Sequence, residues 1–192
     1  SSARRRTPDG GAPVERIVVA NADFLRVVLP AAEPEPRSGF IDRCLVAAYD
    51  AGLTPLLIVT KTDLASAEPL AAAYSPLGIE LIRTARAQPV DDLAGRLTDH
   101  VTVLIGQSGV GKSTLVNRLV PDADRDTGHV NQVTGRGRHT STSAVGLRLP
   151  DGGWIIDTPG LRSFGLGHVD PERVLAAFGE LALGEQHWPR GC

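Results

Sequence analysis

Cysteine is scarce in this chain, which has only Cys44 and Cys192 among its 192 residues. Two cysteines so far apart do not make the framework of a disulfide-stapled domain, and their scarcity favours a reducing, cytoplasmic compartment. Cys44 lies on the apolar stripe of a predicted helix, so we expect a buried structural thiol there and not a reactive one.

Long apolar runs are also missing. No run approaches the about 18 residues that a membrane-spanning helix needs, so we expect no membrane partner. The polar N-terminal segment lacks the apolar centre of a signal peptide. Aromatic residues make up only 4% of the chain, which leaves few platforms for stacking on single-stranded nucleic acid. The net charge of -2 does not suit a wholly basic nucleic-acid binder, although that total would hide a basic patch on one face.

The composition that remains is that of an ordinary globular domain, with 42% hydrophobic and 22% charged residues at a length that suits one full core. Apolar runs alternate with helical patterns along most of it, which predicts an α/β domain with a mainly parallel sheet. The last two strands flank a glycine turn and predict one antiparallel hairpin. The predicted strands are 16–20, 25–29, 55–60, 79–83, 101–105, 144–149 and 154–157. The predicted helices are 40–51, 66–74, 89–99 and 170–181, and a further helix follows the glycine-rich segment 106–114 and ends near Leu119.

A phosphate-binding loop follows the buried strand 101–105. The pattern G-x-x-x-x-G-K-S is matched by Gly106, Gln107, Ser108, Gly109, Val110, Gly111, Lys112 and Ser113, and Thr114 follows them. Its glycines let successive backbone N–H groups point at phosphate oxygens. Lys112 supplies a positive charge for the β and γ oxygens, and the Ser113 hydroxyl is a ligand for Mg²⁺. The loop also opens a helix, whose N-terminal partial charge favours an anion, so the fold is predicted to be a P-loop NTPase three-layer sandwich.

A guanine-reading segment follows another buried strand, 55–60. Thr60, Lys61, Thr62 and Asp63 are similar to the [NT]-K-x-D motif of GTPases. The two oxygens of Asp63 match the N1–H and 2-amino group of guanine, which adenine lacks, and the stem of Lys61 can lie along the base. After strand 79–83, Thr84 and Ala85 resemble the [ST]-A motif that backs the guanine ring.

Sensors of the γ-phosphate are predicted near the end of the chain. Asp157, Thr158, Pro159 and Gly160 match D-x-x-G, in which Asp157 holds Mg²⁺ through water and the Gly160 N–H meets the γ-phosphate. The long loop 121–143 precedes this segment and contains Thr140 and Thr142. One of these two threonines is expected to ligate Mg²⁺, and the residues alone do not choose between them.

These motifs stand in an unusual order. The base reader precedes the P-loop, and D-x-x-G comes last, which a doubly wound sheet tolerates because domain termini usually lie close together. The chain thereby resembles the circularly permuted ribosome small-subunit-dependent GTPases, the RsgA/YjeQ/YloQ family. The resemblance rests on ERIVVANADFLRVVL, TKTDL, GQSGVGKSTLVN, GRGRHTSTSA, WIIDTPGLRSFGL and GHVDPE.

The resemblance implies a slow GTPase, stimulated by the small ribosomal subunit and its rRNA, that acts in assembly of that subunit in the cytoplasm with Mg²⁺ and GTP or GDP. It also implies an N-terminal OB-fold and a C-terminal zinc domain. We expect residues 1–14 to be a linker from the OB-fold, 15–182 to be the GTPase domain and 183–192 to begin the zinc domain. His187 and Cys192 are possible zinc ligands, but two ligands are not a site, so we predict no bound zinc in this chain.

The residue that orients the attacking water is left open. Leu161 stands where Ras-like enzymes have glutamine, and it has no donor or acceptor. The catalytic candidates are Lys112 for charge, then His168, which matches a histidine of the family, and His139 in the long loop. Two alternatives to a GTPase switch are a GTP-gated binding module without catalysis and a P-loop kinase for a small molecule.

Overall fold

The computed structural model describes residues 2–5, 16–20, 22–123 and 144–160. The strands are β1 (Ser2–Arg5), β2 (Arg16–Ala20), β3 (Phe24–Pro30), β4 (Thr54–Thr60), β5 (Glu80–Arg83), β6 (Val101–Gly106), β7 (Val145–Arg148) and β8 (Trp154–Asp157). The α-helices are α1 (Ser38–Asp50), α2 (Glu68–Tyr74), α3 (Asp91–Gly95) and α4 (Lys112–Leu119), and short 3-10 turns follow α2 and α4 at Ser75–Leu77 and Pro121–Ala123.

Six of these strands form one sheet in the order β5-β4-β3-β6-β8-β7. Five strands run parallel to one another, namely β3, β4, β5, β6 and β8. Among the six strands of this sheet, only the edge strand β7 is antiparallel, and it pairs with β8. The predicted mainly parallel sheet with one antiparallel hairpin strand is therefore confirmed. Every parallel strand presents its carboxyl end at the same edge, which is where open α/β sheets bind ligands.

The sheet separates two apolar layers, because successive side chains of each strand point to opposite faces. On one face Leu25, Val27 and Leu29 of β3 pack with the buried stripe of α1. On the other face Val28 packs with residues of α4 and with Leu93. The predicted three-layer sandwich is thus confirmed, and the continuous apolar run of β4 is explained by its burial on both faces.

Two predicted elements differ from the structure. The predicted helix 89–99 is only the five-residue α3, after which Arg96 and Leu97 close turns by donating to carbonyls three residues earlier. Gly95 lies at that point, where it weakens helix continuation. Leu93 and Leu97 are both buried, as expected for apolar residues four positions apart on one side of the predicted helix. Within the expected linker 1–14, residues 2–5 form β1, which pairs antiparallel with β2 in a separate two-stranded sheet.

Of the helices that the structure describes, none has both the length and the apolar character needed to cross a membrane.

Candidate nucleotide-binding site

Four predicted motifs meet at the carboxyl edge of the sheet. Three motifs begin at the last residues of β4, β6 and β8, which are Thr60, Gly106 and Asp157, and the fourth begins at Thr84, directly after β5. These strands are parallel neighbours or next neighbours through β3. The structure therefore brings together sequence segments that lie far apart and in an unusual order.

The P-loop has a backbone that only glycine allows at several positions. Gly109 and Gly111 have φ of +80° and +91°, a region in which side chains are strained. At Gly106 the obstacle is space, because a Cβ there would lie 2.9 Å from the carbonyl oxygen of Val28. Within the described part of the chain, the backbone N–H groups of residues 107–113 have no acceptor. A run of free N–H groups at the start of α4 is suited to bind an anion.

Lys112 and Asp157 form a buried ion pair in this cradle. The Lys112 ammonium donates to the Asp157 carboxylate and to the carbonyl oxygen of Thr158, and Lys112 and Asp157 are only 7% and 1% exposed. Thr158 is fixed in turn, since its hydroxyl donates to the carbonyl of Leu104 at 2.7 Å. The pair places one cation and one anion side by side at the beginning of α4, a charge pattern that complements a phosphate and a metal ion respectively.

Gly160 lies against the P-loop. A Cβ at this position would be 3.2 Å from the backbone nitrogen and Cα of Ser108, so the two loops approach too closely for a larger residue without adjustment. The D-x-x-G segment and the phosphate loop are therefore in direct contact.

Ser113 lies next to Lys112 in the first turn of α4 and is half-buried, whereas Thr114 is exposed. Val110 is buried in the core, so only its backbone is available to a ligand.

Two side chains of the base-reading segment are bonded to the P-loop. The Thr60 hydroxyl lies 2.5 Å from the carbonyl oxygen of Val110 and 3.1 Å from that of Leu29, and it can donate to one of them at a time. Lys61 has φ of +58°, and its ammonium donates to the carbonyl of Gly109 at 2.9 Å and to that of Glu33. Because a non-glycine residue rarely has this backbone conformation, these contacts help to fix it.

The carboxylate of Asp63 is exposed, and it has no partner among the residues that the structure describes. Beside it, the N–H of Thr62 donates to the carbonyl of Thr84 at 3.3 Å, which joins the base reader to the segment that follows β5. Thr84 is fixed to β4, since its N–H donates to the carbonyl of Val59 at 2.7 Å. Ala85 is 6% exposed and directly follows this anchor. The two predicted guanine-contacting segments are thus neighbours.

A model of the RsgA GTPase family matches residues 2–167. The chain belongs to that family. It is 46% identical over 169 residues to the small ribosomal subunit biogenesis GTPase RsgA of Pseudomonas aeruginosa, covering 84% of this chain and 50% of that protein. The RsgA of Pseudomonas syringae pv. tomato is 42% identical over 181 residues, which is 90% of this chain and 52% of that protein. The chain therefore spans about half the length of the curated relatives it matches.

Two solved structures, of YjeQ and of YloQ, resemble the fold of this chain. YjeQ from Thermotoga maritima superimposes with a TM-score of 0.63 at 26% identity over 91% of this chain and 66% of that one. A structure described as YloQ, a circularly permuted GTPase, gives a TM-score of 0.64 at 25% identity over 94% of this chain and 57% of that one. The circularly permuted GTPase fold that the motif order predicted is confirmed by these matches.

Two contacts at the site of this RsgA-family chain were not predicted from its sequence. Arg118 on α4 donates to the carbonyl oxygens of Ala85, at 2.9 Å, and Gln88. The loop after β3 contacts the site through the Glu33 carbonyl and through Pro34, whose Cδ would lie 3.8 Å from a Cβ on Gly109. Both act through backbone atoms of distant segments, a kind of contact that has no sequence motif.

Several predicted residues lie outside the described part of the chain. These are His139, Thr140, Thr142, Leu161, His168, His187 and Cys192. The choice of water-orienting residue, the threonine that ligates Mg²⁺ and the zinc remnants therefore stay predictions.

Proposed function

We propose that this chain is the GTP-binding and GTP-hydrolysing domain of a small ribosomal subunit assembly factor. The observation that carries the proposal is the meeting, at one sheet edge, of a phosphate cradle and a base-reading segment that are bonded to each other through Thr60 and Lys61. Both halves of a nucleotide therefore have a matching surface on the same rigid edge.

The phosphate half is supported by charge and backbone direction. The N–H groups of residues 107–113, which have no acceptor among the described residues, and the Lys112 ammonium offer hydrogen-bond donors where α4 begins. A helix N-terminus adds positive potential. Donors fixed before the substrate binds need no reorganisation as negative charge shifts during phosphoryl transfer, which is the main protein contribution to such reactions.

The base half is supported by the exposed carboxylate of Asp63 beside the anchored Thr84–Ala85 segment. Two acceptor oxygens suit the N1–H and 2-amino group of guanine, and they would face an acceptor on adenine, so GTP and GDP are the nucleotides that fit. A small-molecule kinase has no use for this carboxylate, which makes the kinase alternative the weaker one.

Magnesium fits the same corner. Among the described residues no cluster of three or more His, Cys, Asp or Glu side chains lies together, so a metal here would need phosphate oxygens as well as protein ligands. Asp157, through water, and the Ser113 hydroxyl are oxygen donors of the type that Mg²⁺ prefers, and the ion would neutralise charge on the β- and γ-phosphates. Zinc we propose only for a longer protein, since His187 and Cys192 do not make a site.

The role in the small subunit is supported by the names of relatives at 42–46% identity, which are small ribosomal subunit biogenesis GTPases. We propose that the whole protein acts in the cytoplasm on that subunit and its rRNA. Leu161 at the position after D-x-x-G supplies no group to orient water, so turnover is expected to be slow without the ribosome, and His168 and His139 stay the candidates for this role.

The test is a single-turnover GTP hydrolysis assay with and without purified small subunits, preceded by competition of GTP with ATP. GTP binding that ATP does not displace, with hydrolysis accelerated by the subunit, is the expected result. Equal displacement by ATP would instead support the kinase. GTP binding with hydrolysis that the subunit does not accelerate would support a binding module without a catalytic switch.

A further inference from the structure

Arg118 lies at the opposite end of α4 from the phosphate cradle. α4 begins at Lys112, and Arg118 is in its last turn, half-buried against the loop that follows β5. Its guanidinium donates from Nη1 to the carbonyl of Ala85 and from Nη2 to the carbonyl of Gln88. One planar fork thus holds both ends of the 85–88 turn.

The turn that Arg118 holds is already closed by its own backbone. The N–H of Gln88 donates to the carbonyl of Ala85 at 3.3 Å, so this carbonyl accepts from two donors. The preceding residue, Thr84, is bonded to β4 and to Thr62. Between these anchors, the N–H of the buried Ala85 has no acceptor among the residues that the structure describes. The peptide before the turn is therefore fixed and still has a donor to offer.

We infer that Arg118 is a positioning residue for the nucleotide base, which it serves by holding the Ala85–Gln88 turn in register with the Asp63 segment. This inference rests on the proposed function. The favourable position of a cation near a helix C-terminus accounts for an arginine in the last turn of α4, but it does not account for two bonds to a turn in another segment. A rigid two-donor fork can bridge two carbonyls, whereas a lysine ammonium has no such planar geometry.

The inference gives each end of α4 one half of the nucleotide. The first turn carries the phosphate donors, and the last turn fixes the segment behind the base. Loss of Arg118 should therefore weaken binding of the base and leave binding of the phosphates unchanged. Asp63, by contrast, reads the 2-amino side of guanine, so the two residues should respond differently to an analogue that lacks this group.

The experiment measures dissociation constants of the full chain for GDP, for inosine diphosphate and for pyrophosphate, the last by competition. Inosine diphosphate keeps the 6-carbonyl of guanine and lacks its 2-amino group. In Arg118→Ala we expect Kd to rise about tenfold for both nucleotides and to stay within about twofold for pyrophosphate, because two hydrogen bonds that order a base-contacting turn are lost. Amide hydrogen exchange at residues 85–88 should accelerate in the same variant.

Arg118→Lys and Arg83→Ala are the matched variants. Arg118→Lys keeps the charge and the apolar stem, so it should raise Kd by about threefold, and it keeps the inference testable if the alanine variant does not fold. Arg83 precedes the same segment but pairs with Glu68 at 2.7 Å, away from the turn carbonyls. Arg83→Ala therefore removes a neighbouring charge and should leave all three constants within about twofold.

Three results would overturn the inference. These are unchanged nucleotide constants in Arg118→Ala, an equal rise for pyrophosphate, or a rise for GDP that inosine diphosphate does not share. A wild-type chain that binds no GDP would overturn the proposed function together with this inference. Wild-type GDP binding with an unaffected Arg118→Ala variant would overturn the inference alone.

Discussion

The Thr60 hydroxyl lies 2.5 Å from the carbonyl oxygen of Val110, 50 positions later in the chain. This contact joins the base reader to the phosphate loop directly. Reversal of the motif order in the sequence leaves it intact because β4 and β6 both flank β3, and their carboxyl ends meet at one edge. The permutation changes where the chain is connected and not which side chains touch.

Thr60→Val is predicted to lower the free energy of unfolding by about 1–3 kcal/mol and to weaken GDP binding, since it keeps the shape of the side chain and removes the one O–H donor that the carbonyls of Val110 and Leu29 share. Urea unfolding and GDP titration measure the two effects. Thr60→Ser retains the hydroxyl and should lose less than about 1 kcal/mol. If the Thr60→Val and Thr60→Ser variants are equally stable and bind GDP equally well, the Thr60 hydroxyl does not stabilise the P-loop.

Gly106→Ala and Gly95→Ala are predicted to have opposite effects on stability. A Cβ at Gly106 would lie 2.9 Å from the backbone oxygen of Val28, in the tightly packed sheet, so we expect a loss of about 1–3 kcal/mol. A Cβ at Gly95 meets nothing within 4 Å, so alanine there should stabilise α3 by about 0.5–1 kcal/mol. Thermal unfolding of both variants checks this. A Gly106→Ala variant as stable as the wild type would show that β6 can shift to make room.

The motifs and the parallel sheet could be predicted from the sequence because the chemistry of each motif requires its place at a strand end. Thr60 ends the buried apolar strand β4 and Asp157 ends the hairpin strand β8, and those contexts predicted their position at the carboxyl edge. Long-range contacts made through backbone atoms could not be predicted. Nothing in the composition of the segment after β3 indicates that the Glu33 carbonyl accepts a hydrogen bond from the Lys61 ammonium. Likewise, the sequence around Arg118 does not distinguish it from any other basic residue in the last turn of a helix.

Two secondary-structure elements also could not be predicted correctly from the sequence. The strand Ser2–Arg5 could not be predicted within the expected linker 1–14, because its pairing with Arg16–Ala20 depends on a partner and not on local propensity. The apolar spacing of Leu93 and Leu97 correctly predicted burial, but turns preserve the same spacing as a helix over so short a distance.

Asp63→Asn is predicted to change the preferred base from guanine to xanthine. The amide presents a donor where the carboxylate had two acceptors, and xanthine has an acceptor at the 2-position where guanine has an amino group. Competition between GDP and xanthosine diphosphate for the variant measures the change, and at least about a tenfold reversal of preference is expected. Guanine preference that survives the substitution would mean that Asp63 is not the reader.

Cys44 is predicted to be unreactive in the folded chain. Burial raises the pKa of its thiol to about 12 from 9.0, so almost no thiolate exists at pH 8. In a Cys192→Ser variant, Ellman's reagent should therefore detect no thiol in the native protein and one after denaturation. Rapid labelling of the native variant would contradict the burial of Cys44 in the core.

The same shift predicts a loss of stability in alkali. Because the folded pKa is the higher one, the contribution of Cys44 is complete below about pH 9 and is lost as pH rises towards about 12. Burial also raises the pKa of Tyr74, with a hydrogen bond to Asp42 as a second cause, so this tyrosine acts in the same direction. Urea unfolding at pH 8 and pH 10.5 checks the sign. Cys44→Ala should reduce the difference, and an unchanged difference would assign the effect to other groups.

Lys112 and Asp157 are predicted to be coupled in folding as well as in nucleotide binding. Lys112→Met leaves the Asp157 carboxylate buried without its ammonium, which should cost about 3–5 kcal/mol of stability and raise the Kd for GDP at least about a hundredfold. Asp157→Leu should likewise destabilise the chain by leaving the cation buried.

A double-mutant cycle separates the ion pair from its two members. The double variant Lys112→Met/Asp157→Leu removes both charges, so its loss of stability should be smaller than the sum of the single losses by about 1–3 kcal/mol. Denaturant unfolding of the four proteins gives this coupling energy, and it needs no nucleotide. Additive losses would mean that the two buried side chains are stabilised independently. The double variant should still fail to bind GDP, because stability can be recovered without either charge and the phosphate and metal contacts cannot.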